Sequence, residues 1–215
     1  MHSPSDTQNE TAPPFPGTLA PWRDDGVLHV NEIFYSIEGE GGRIGEPTTF
    51  VRLAHCNLRC AFCDTRFQHF RLMSVAAIRA AVREHPARWV CITGGEPLGQ
   101  HIAPLARQLL QCGYRLHIET NGTISPPAEL FELIEYWTVS PKRYPVASGY
   151  RRITELKYVV GECFSAAHVQ AELAERVYLQ PESLQPRYVD KALRILRLHP
   201  DWRLSCRLHQ LLDLP

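Results

Sequence analysis

Two hydrophobic periods alternate along the chain from about residue 27 onward. Apolar residues in short runs or at every second position predict β-strands, whereas apolar residues three and four positions apart predict amphipathic helices. An extended segment runs through Val30, Ile33 and Tyr35. Further strands are predicted at 48–54, 89–93, 114–119, 136–140, 155–160 and 177–179, and the segment 202–206 closes the series.

Helices are predicted between these strands from capping residues and helical spacing. Ser74 is a suitable N-cap for a helix whose apolar positions include Ile78 and Val82. A second helix is expected to stop at Gly113, because glycine readily adopts the left-handed conformation that follows many helices. Further helices are predicted after Pro126 and Pro127, at 166–174 and at 188–198.

Strands and helices that take turns in this way form parallel sheets with right-handed crossover connections. About six alternations, rather than eight, predict an α/β fold built as a partial, splayed TIM-like barrel of fewer than eight strands. Polar residues and glycines directly follow the predicted strands, at Gly94, Thr120, Ser140 and Gln180. Because ligands bind at the carboxyl ends of strands in such folds, we expect the functional site at that edge.

Composition predicts one globular domain over residues 27–215 and a mobile tail over residues 1–26. The 215 residues are 44% hydrophobic, which is enough for one sizeable core, whereas the first 26 are rich in proline and small polar residues. No apolar run approaches the roughly 20 residues of a membrane span, and no secretory signal is recognisable. The 23 basic and 23 acidic residues give a formal net charge of zero, so the composition does not indicate electrostatic binding to nucleic acid.

Three cysteines stand close together at Cys56, Cys60 and Cys63, with CxxxCxxC spacing. Soft thiolates bind zinc, copper(I) or iron–sulfur clusters, and a cubane held by three cysteines leaves one iron open to a small molecule. Two alternatives remain open: three buried apolar thiols, or a zinc site with His55 as the fourth ligand. An odd total of seven cysteines is typical of a reducing cytoplasm rather than of a disulfide framework. The remaining cysteines have no ligand spacing and are predicted to be buried thiols: Cys91, Cys112, Cys163 and Cys206.

Other segments combine glycine with polar side chains. Gly94-Gly95-Glu96-Pro97 would let the backbone approach a ligand closely, although an ordinary strand-to-helix turn looks the same. Glu38 and Glu40 lie in a glycine-rich loop, where a carboxylate would suit the amino-pyrimidine edge of a pterin or guanine; the alternative is a solvated acidic turn. Arg52 lies in an apolar strand and needs an anionic partner, either a substrate carboxylate or a structural Asp or Glu. The hydroxyl of Thr65 either joins the ligands of Mg²⁺ or caps a turn.

Together these residues resemble the 7-carboxy-7-deazaguanine synthase family of radical S-adenosylmethionine (radical SAM) enzymes. The cysteine spacing and the aromatic-rich loop after it resemble the whole superfamily, and the resemblance to the family runs from about residue 31 to residue 215. One position departs from the pattern, because the family usually has glutamine where this chain has Glu38. An amide donates and accepts hydrogen bonds whereas a carboxylate only accepts them. The substrate contact at Glu38 is therefore either made by the backbone or differs from that of the family. The matching segments are 31–41, 50–53, 56–65, 92–97, 118–123, 139–142, 156–157, 179–181 and 202–205, with His209.

The resemblance implies a partial barrel of the radical SAM type and a set of bound cofactors. A 4Fe-4S cluster would be held by Cys56, Cys60 and Cys63, and Mg²⁺ by Thr65. Contacts to S-adenosylmethionine (SAM) are implied for Phe62, Asp64, Gly95, Ser140, Pro141, Lys142, Gln180, Pro181, Glu182 and Ser183. Contacts to the substrate are implied for Ile37, Glu38, Gly39, Glu40, Arg52, Thr93, His209 and Pro215.

The implied reaction is the Mg²⁺-dependent conversion of 6-carboxy-5,6,7,8-tetrahydropterin into 7-carboxy-7-deazaguanine with loss of ammonia, on the route to queuosine. The radical would come from reductive cleavage of SAM, so that no side chain need abstract hydrogen. Implied partners are the small-molecule substrate, an electron donor such as a flavodoxin or ferredoxin, and a second copy in a homodimer. No nucleic acid or membrane partner is expected, and the expected location is the cytoplasm. Two other functions stay open on the residues alone: a radical SAM activase that acts on a partner protein, and a zinc-binding interaction module.

Overall fold

A computed structural model of the protein describes residues 26–60, 63, 69–183 and 185–214. Within these residues the strands are β1 (Val27–Ile37), β2 (Pro47–Leu53), β3 (Arg71–Ser74), β4 (Trp89–Gly94), β5 (Arg115–Thr120), β6 (Tyr136–Val139), β7 (Ile153–Val160), β8 (Ala174–Pro181) and β9 (Arg203–Leu204). The helices are α1 (Val75–Arg83), α2 (Ala103–Gln111), α3 (Leu130–Leu133), α4 (Pro186–Leu198) and α5 (Leu208–Leu212). Short 3-10 turns occupy Gly41–Arg43, Pro97–Gly99, Ala166–His168 and Ala171–Leu173.

All of these strands belong to one sheet in the order β3-β1-β2-β4-β5-β6-β7-β8-β9. Each neighbouring pair in the series β2-β4-β5-β6-β7-β8-β9 runs parallel. This confirms the prediction of a parallel α/β fold with fewer than eight barrel strands. At one edge β1 pairs antiparallel with both β2 and β3. Among the described residues, β3 and β9 end the order without pairing with each other, so the sheet is open and the barrel is partial.

The core consists of two clusters that follow each other along the strand order. In the first, α1 and α2 cover the first parallel strands, so that Ile78, Leu105 and Ile92 are fully buried together. In the second, Leu156 and Leu179 of β7 and β8 pack with α4. Each such aliphatic side chain contributes about 1.5 to 3 kcal/mol when it leaves water.

Local signals set the ends of α1 and α2 as predicted. The Ser74 hydroxyl accepts a hydrogen bond from the backbone N–H of Ala77 at 3.2 Å, which caps the first turn of α1. Gly113 follows α2 with φ +85°, a conformation that favours glycine. The predicted strands after β1 are also present, each within a few residues of its expected bounds.

The prediction of a helix over 166–174 is wrong. Only two 3-10 turns form there, and β8 already begins at Ala174. The backbone N–H of Gln170 donates to the hydroxyl of Tyr158 at 3.1 Å and is therefore not available to the carbonyl of Ala166. A tertiary contact thus replaces the helical hydrogen bond that the local sequence favoured.

Several elements differ from their predictions in extent. The helix expected after Pro127 reaches only Leu130–Leu133, and neither the edge strand β3 nor the short α5 was expected. Among the described residues, no helix has both the length and the apolar character needed to cross a bilayer. The prediction of a mobile tail over 1–26 falls almost wholly on residues outside the described part of the chain.

Candidate active site

A cavity of about 650 Å³ lies at the carboxyl ends of the parallel strands, where the sequence predicted the functional site. Residues at or just beyond the ends of β4, β5, β6 and β8 contribute Gly94, Thr120, Ser140 and Gln180 to its wall. The cysteine loop after β2 and the acidic loop after β1 complete it. Most residues implied by the resemblance therefore share one cavity: Ile37, Glu38, Gly39, Glu40, Arg52, Cys56, Cys60, Cys63, Thr93, Gly95, Ser140, Lys142, Gln180 and His209.

The remaining implied residues divide into two groups. Those within the described part of the chain do not line the cavity, namely Pro141, Pro181, Glu182 and Ser183. Those outside the described residues are Phe62, Asp64, Thr65 and Pro215. The implied Mg²⁺ ligand and the implied C-terminal substrate contact therefore stay predictions.

The backbone of the cysteine loop packs tightly against the glycines that follow β4. The N–H of Gly95 donates to the carbonyl of Leu53 at 3.1 Å, and the N–H of Glu96 donates to the carbonyl of His55 at 2.9 Å. A Cβ at Gly95 would stand 1.8 Å from the His55 carbonyl oxygen, so that only glycine fits. His55 itself has φ +68°, which turns the chain out of β2 into the loop. The glycine motif thus positions the cysteines as well as lining the cavity.

The three cysteines suit a cluster better than they suit a buried core. Cys56 and Cys60 are half-buried and Cys63 is exposed, and all three line the cavity. Burial raises the pKa of Cys56 to about 11 and also raises the pKa of Cys60. Half-buried thiols that resist ionisation in the free protein become thiolates when a metal cluster supplies positive charge. This donor set fits a 4Fe-4S cluster, for which the three cysteines would be the protein ligands.

The alternative zinc site with His55 is not supported. The Nε2 atom of His55 lies 2.8 Å from Nδ1 of His29, and the ring packs edge-on against Phe70. Burial and the neighbouring His29 lower the pKa of His55, and His55 is not among the residues that line the cavity.

The prediction that the other cysteines are buried holds for Cys91 only. Cys112 and Cys163 are exposed and Cys206 is half-buried, so for these residues it is wrong.

The acidic loop does not form a solvated turn, because both of its carboxylates are held by the protein. Glu38 is 3% exposed, and its Oε1 accepts the N–H groups of Gly39 at 3.0 Å and of Glu40 at 3.3 Å. Glu40 Oε2 accepts a hydrogen bond from Lys157, and its Oε1 lies 3.6 Å from Nε of Arg207. Glu38 also lines the cavity, so a contact between Glu38 and a ligand stays a prediction.

Glu38, Cys91 and His117 bring ligand-type atoms within 4.8 Å of one another, which is a spacing that suits a metal ion. The guanidinium of Arg43 already fills the cationic role there, because its Nη1 lies 2.9 Å from Nδ1 of His117 and 3.8 Å from Glu38 Oε2. Arg43 also stacks 3.8 Å from the ring of Trp89. This buried group is a structural anchor for the acidic loop.

Arg52 has the structural carboxylate partner that was one of its two predicted partners. Its Nε donates to Oε1 of Glu32 at 2.7 Å, and its guanidinium lies 5.3 Å from the ring of Phe34. Arg52 is 24% exposed in its side chain and also lines the cavity. The ion pair with Glu32 therefore holds the arginine at the cavity wall.

Glu119 and Lys157 are cavity residues to which the sequence reasoning assigned no role. Lys157 Nζ donates to Glu119 Oε1 at 3.0 Å, and Thr93 Oγ1 donates to Glu119 Oε2 at 3.1 Å. Burial opposes ionisation of Glu119, but the Lys157 ammonium outweighs it and lowers the pKa of Glu119 to about 2. The available signal for this pair was the presence of charged residues in predicted strands, since charged side chains are seldom buried without a partner.

Lys142 and Ser140 form a second polar group beside the cysteines. Lys142 Nζ donates to Ser140 Oγ at 2.7 Å, and Ser140 Oγ donates to the carbonyl of Lys157 at 2.9 Å. Burial, together with the charge of Lys157, lowers the pKa of Lys142 to about 8. Gln180 is 2% exposed and accepts a hydrogen bond from Ser205 at 2.9 Å.

The segment at α5 packs against the acidic loop. The N–H of Leu208 donates to the carbonyl of Gly39 at 2.9 Å, and a Cβ at Gly39 would stand 2.9 Å from Nδ1 of His209. His209 lies in the cavity wall together with Arg207. The segment at α5 thus covers one side of the cavity.

Comparison with known proteins identifies relatives of this chain. Residues 51–145 match the Radical SAM superfamily profile. The chain is 41% identical over 187 residues to the 7-carboxy-7-deazaguanine synthase of Bacteroides thetaiotaomicron, which covers 86% of this chain and 97% of the relative. It is 36% identical over 191 residues to the synthase of Aquifex aeolicus, covering 80% of this chain and 86% of the relative.

The fold is similar to the crystal structure of QueE from Escherichia coli, with a TM-score of 0.73 and 25% identity. That similarity covers 91% of this chain and all of the other. The activase and zinc-module alternatives are therefore wrong. The partial barrel, the three cysteines that line its cavity and these relatives together show that the chain belongs to the 7-carboxy-7-deazaguanine synthase family of radical SAM enzymes.

Proposed function

We propose that this enzyme converts 6-carboxy-5,6,7,8-tetrahydropterin into 7-carboxy-7-deazaguanine with loss of ammonia, using SAM, a 4Fe-4S cluster and Mg²⁺. The observation that carries the proposal is that one cavity joins the three cysteines to an array of buried and partly buried cations and carboxylates. A cavity of about 650 Å³ falls in the size range of small-molecule sites.

The cations in the cavity suit ligands that carry carboxylates. Lys142, Lys157, Arg52 and Arg207 all line it. SAM and the substrate each bring one carboxylate, and a partly desolvated ammonium or guanidinium binds such a group through charge-assisted hydrogen bonds. We assign Lys142 to SAM, because Lys142 lies on the cysteine side where its charge also acts on Cys60. Arg52 then faces the substrate.

Glu119 suits the amino-pyrimidine edge of a pterin. Its low pKa keeps it ionised across the physiological range, and an ionised carboxylate accepts two parallel N–H bonds. Lys157 and Thr93 hold its oxygens in place before a ligand arrives. We therefore assign to Glu119, at the end of β5, the contact with the amino-pyrimidine edge that the sequence had suggested for Glu38.

When bound, the cluster and SAM supply the radical chemistry. The residues of this chain orient the two ligands and exclude water from between them. Cys56, Cys60 and Cys63 would hold the cluster at one end of the cavity. The acidic loop and the segment at α5 close the other end through the contact between Gly39 and Leu208.

Three further elements of the proposal rest on the resemblance alone. Thr65 would bind Mg²⁺, an external flavodoxin or ferredoxin would supply the electron, and the enzyme would act as a homodimer. The cysteine content favours a location in the cytoplasm.

The test is a reconstitution without oxygen. Protein loaded with iron and sulfide is incubated with the carboxylated tetrahydropterin, SAM, Mg²⁺ and a reductant, and the products are identified by mass spectrometry. We expect 7-carboxy-7-deazaguanine and ammonia in equal amounts, with a lower rate when Mg²⁺ is chelated. Loaded protein that cleaves SAM but yields no deazaguanine would contradict the proposed substrate.

A further inference from the structure

Beyond the cysteine ligands, we infer that Asn121 is a positioning residue for the iron–sulfur cluster, because its amide N–H donates to the sulfur of Cys56. The Nδ2 atom of Asn121 lies 3.8 Å from Cys56 Sγ, within the range for hydrogen bonds to sulfur. Asn121 is 8% exposed and follows the end of β5 in the cavity wall. No ligand role was implied for it by the cysteine motif.

The orientation of the Asn121 amide follows from its partners. Its Oδ1 accepts the backbone N–H of Thr123 at 2.9 Å, and a backbone N–H only donates. The amide nitrogen must therefore point the other way, where it donates to Oδ1 of Asn57 at 2.9 Å and to Cys56 Sγ. The backbone N–H of Leu58 is a second donor to the same sulfur, at 3.4 Å.

A buried carboxylate holds the backbone of Asn121 in place. Glu96 is fully buried, and its Oε2 accepts the N–H of Asn121 at 2.7 Å, while its Oε1 accepts the hydroxyl of Thr120 at 2.7 Å and the N–H of Leu98 at 3.0 Å. The N–H of Glu96 donates to the carbonyl of His55, the residue before Cys56. Glu96 therefore links the loop that carries Asn121 to the loop that carries Cys56.

This arrangement has a consequence for electron transfer. Reduction adds negative charge to a cluster and its thiolates, and an N–H aimed at a thiolate sulfur stabilises that charge. Asn121 therefore makes the cluster easier to reduce and holds Cys56 toward it. The inference rests on the proposed cluster at Cys56, but it does not depend on the identity of the substrate.

The test compares two substitutions of Asn121 with Thr123→Val as a matched control. Asn121→Asp keeps the size of the side chain and the acceptor for Thr123 but replaces the donor with an oxygen, and Asn121→Ala removes the donor without adding charge. Thr123→Val removes the hydroxyl that bonds both Asn57 and Asn121 but leaves the N–H on the sulfur. Iron content and the midpoint potential from a reductive titration followed by electron paramagnetic resonance are measured, without substrate.

We expect both Asn121 variants to shift the midpoint to more negative potential than in the unaltered enzyme and in Thr123→Val. Loss of iron from both Asn121 variants, with iron retained in Thr123→Val, also supports the inference, because Cys56 is then no longer held. An unchanged midpoint in either Asn121 variant, an equal shift in Thr123→Val, or loss of iron from all three overturns it. A failure of the proposed function looks different, since the unaltered chain then shows a normal cluster and no deazaguanine product.

Discussion

Glu38 Oε2 lies 3.3 Å from Nδ1 of His117, and both side chains are buried. Arg43 donates to that same nitrogen at 2.9 Å, so that Nδ1 accepts, and the N–H at Nε2 donates to Thr138 Oγ1 at 2.8 Å. Arg43 supplies positive charge beside this carboxylate, since its Nη1 lies 3.8 Å from Glu38 Oε2. Arg43 also pairs with Glu46 at 3.3 Å, but Glu46 is 45% exposed, so Glu38 is the buried counter-charge of this guanidinium. This is a physical reason for a carboxylate at the position where the resembled family usually has an amide.

Substituting Glu38 is expected to act on stability first. Glu38→Ala leaves Arg43 without its buried counter-charge and the N–H groups of Gly39 and Glu40 without their acceptor, which we expect to cost about 3 kcal/mol of unfolding free energy. Glu38→Gln keeps an acceptor for the two N–H groups and should cost about 1 kcal/mol. Urea unfolding of the metal-free protein measures both values. Equal costs for the two variants would show that the charge of Glu38 is unimportant.

Lys142 is expected to make stability depend on pH. Burial lowers its pKa to about 8, below that of the unfolded chain, so the unfolded state binds more protons between the two values. The charged amine therefore destabilises the fold below about pH 8, and this cost disappears as the pH rises to about 10.5. We expect Lys142→Met to be about 1 to 2 kcal/mol more stable than the unaltered protein at pH 7, with the gain shrinking by pH 10.

Denaturant unfolding of the metal-free protein at the two pH values checks the Lys142 prediction. The difference between variant and unaltered protein is compared, so that other titrating groups cancel. A stability difference that stays constant from pH 7 to pH 10 would contradict the assigned burial of the amine.

Gly95→Ala should displace the cysteine loop. Its new methyl group would meet the carbonyl of His55 at 1.8 Å, which is backbone and has little room to move. We expect a loss of more than about 3 kcal/mol in unfolding free energy and iron content below half of normal. Gly45→Ala is the control, since a Cβ there meets nothing within 4 Å and only the positive φ is penalised, by about 1 kcal/mol. Normal iron content in Gly95→Ala would mean that the loop does not depend on this contact.

Cys60→Ala is expected to abolish SAM cleavage while the fold survives. The side chain is half-buried and lines the cavity, so its loss removes a cluster ligand without opening the main core. Cys163→Ala removes an exposed thiol that is not part of the cavity wall and should leave iron content and SAM cleavage unchanged. Circular dichroism confirms folding, and 5′-deoxyadenosine is quantified by chromatography. An active Cys60→Ala enzyme would refute the cluster assignment.

Sequence reasoning reached the fold and the cluster because both depend on short-range patterns. The alternation of strand and helix periods predicted the open parallel sheet, and the spacing of Cys56, Cys60 and Cys63 predicted a site with three ligands. The same reasoning failed at 166–174, where the hydroxyl of Tyr158 takes the N–H that a helix would use. The suggestion that the Glu38 carboxylate binds a ligand stays a prediction, and only the structure showed that its Oε1 accepts the N–H groups of Gly39 and Glu40.

By itself the sequence determined most of the order of elements, the edge of the sheet where the cavity lies and the cysteine motif, since hydrophobic periods and ligand spacings are local properties of a chain. Only the tertiary structure decided which charges meet in the cavity. Lys157 reaches Glu40 across 117 positions and Glu119 across 38, and Asn121 reaches Cys56 across 65. Such contacts depend on how strand ends converge when the sheet curves, and no short-range pattern encodes that geometry.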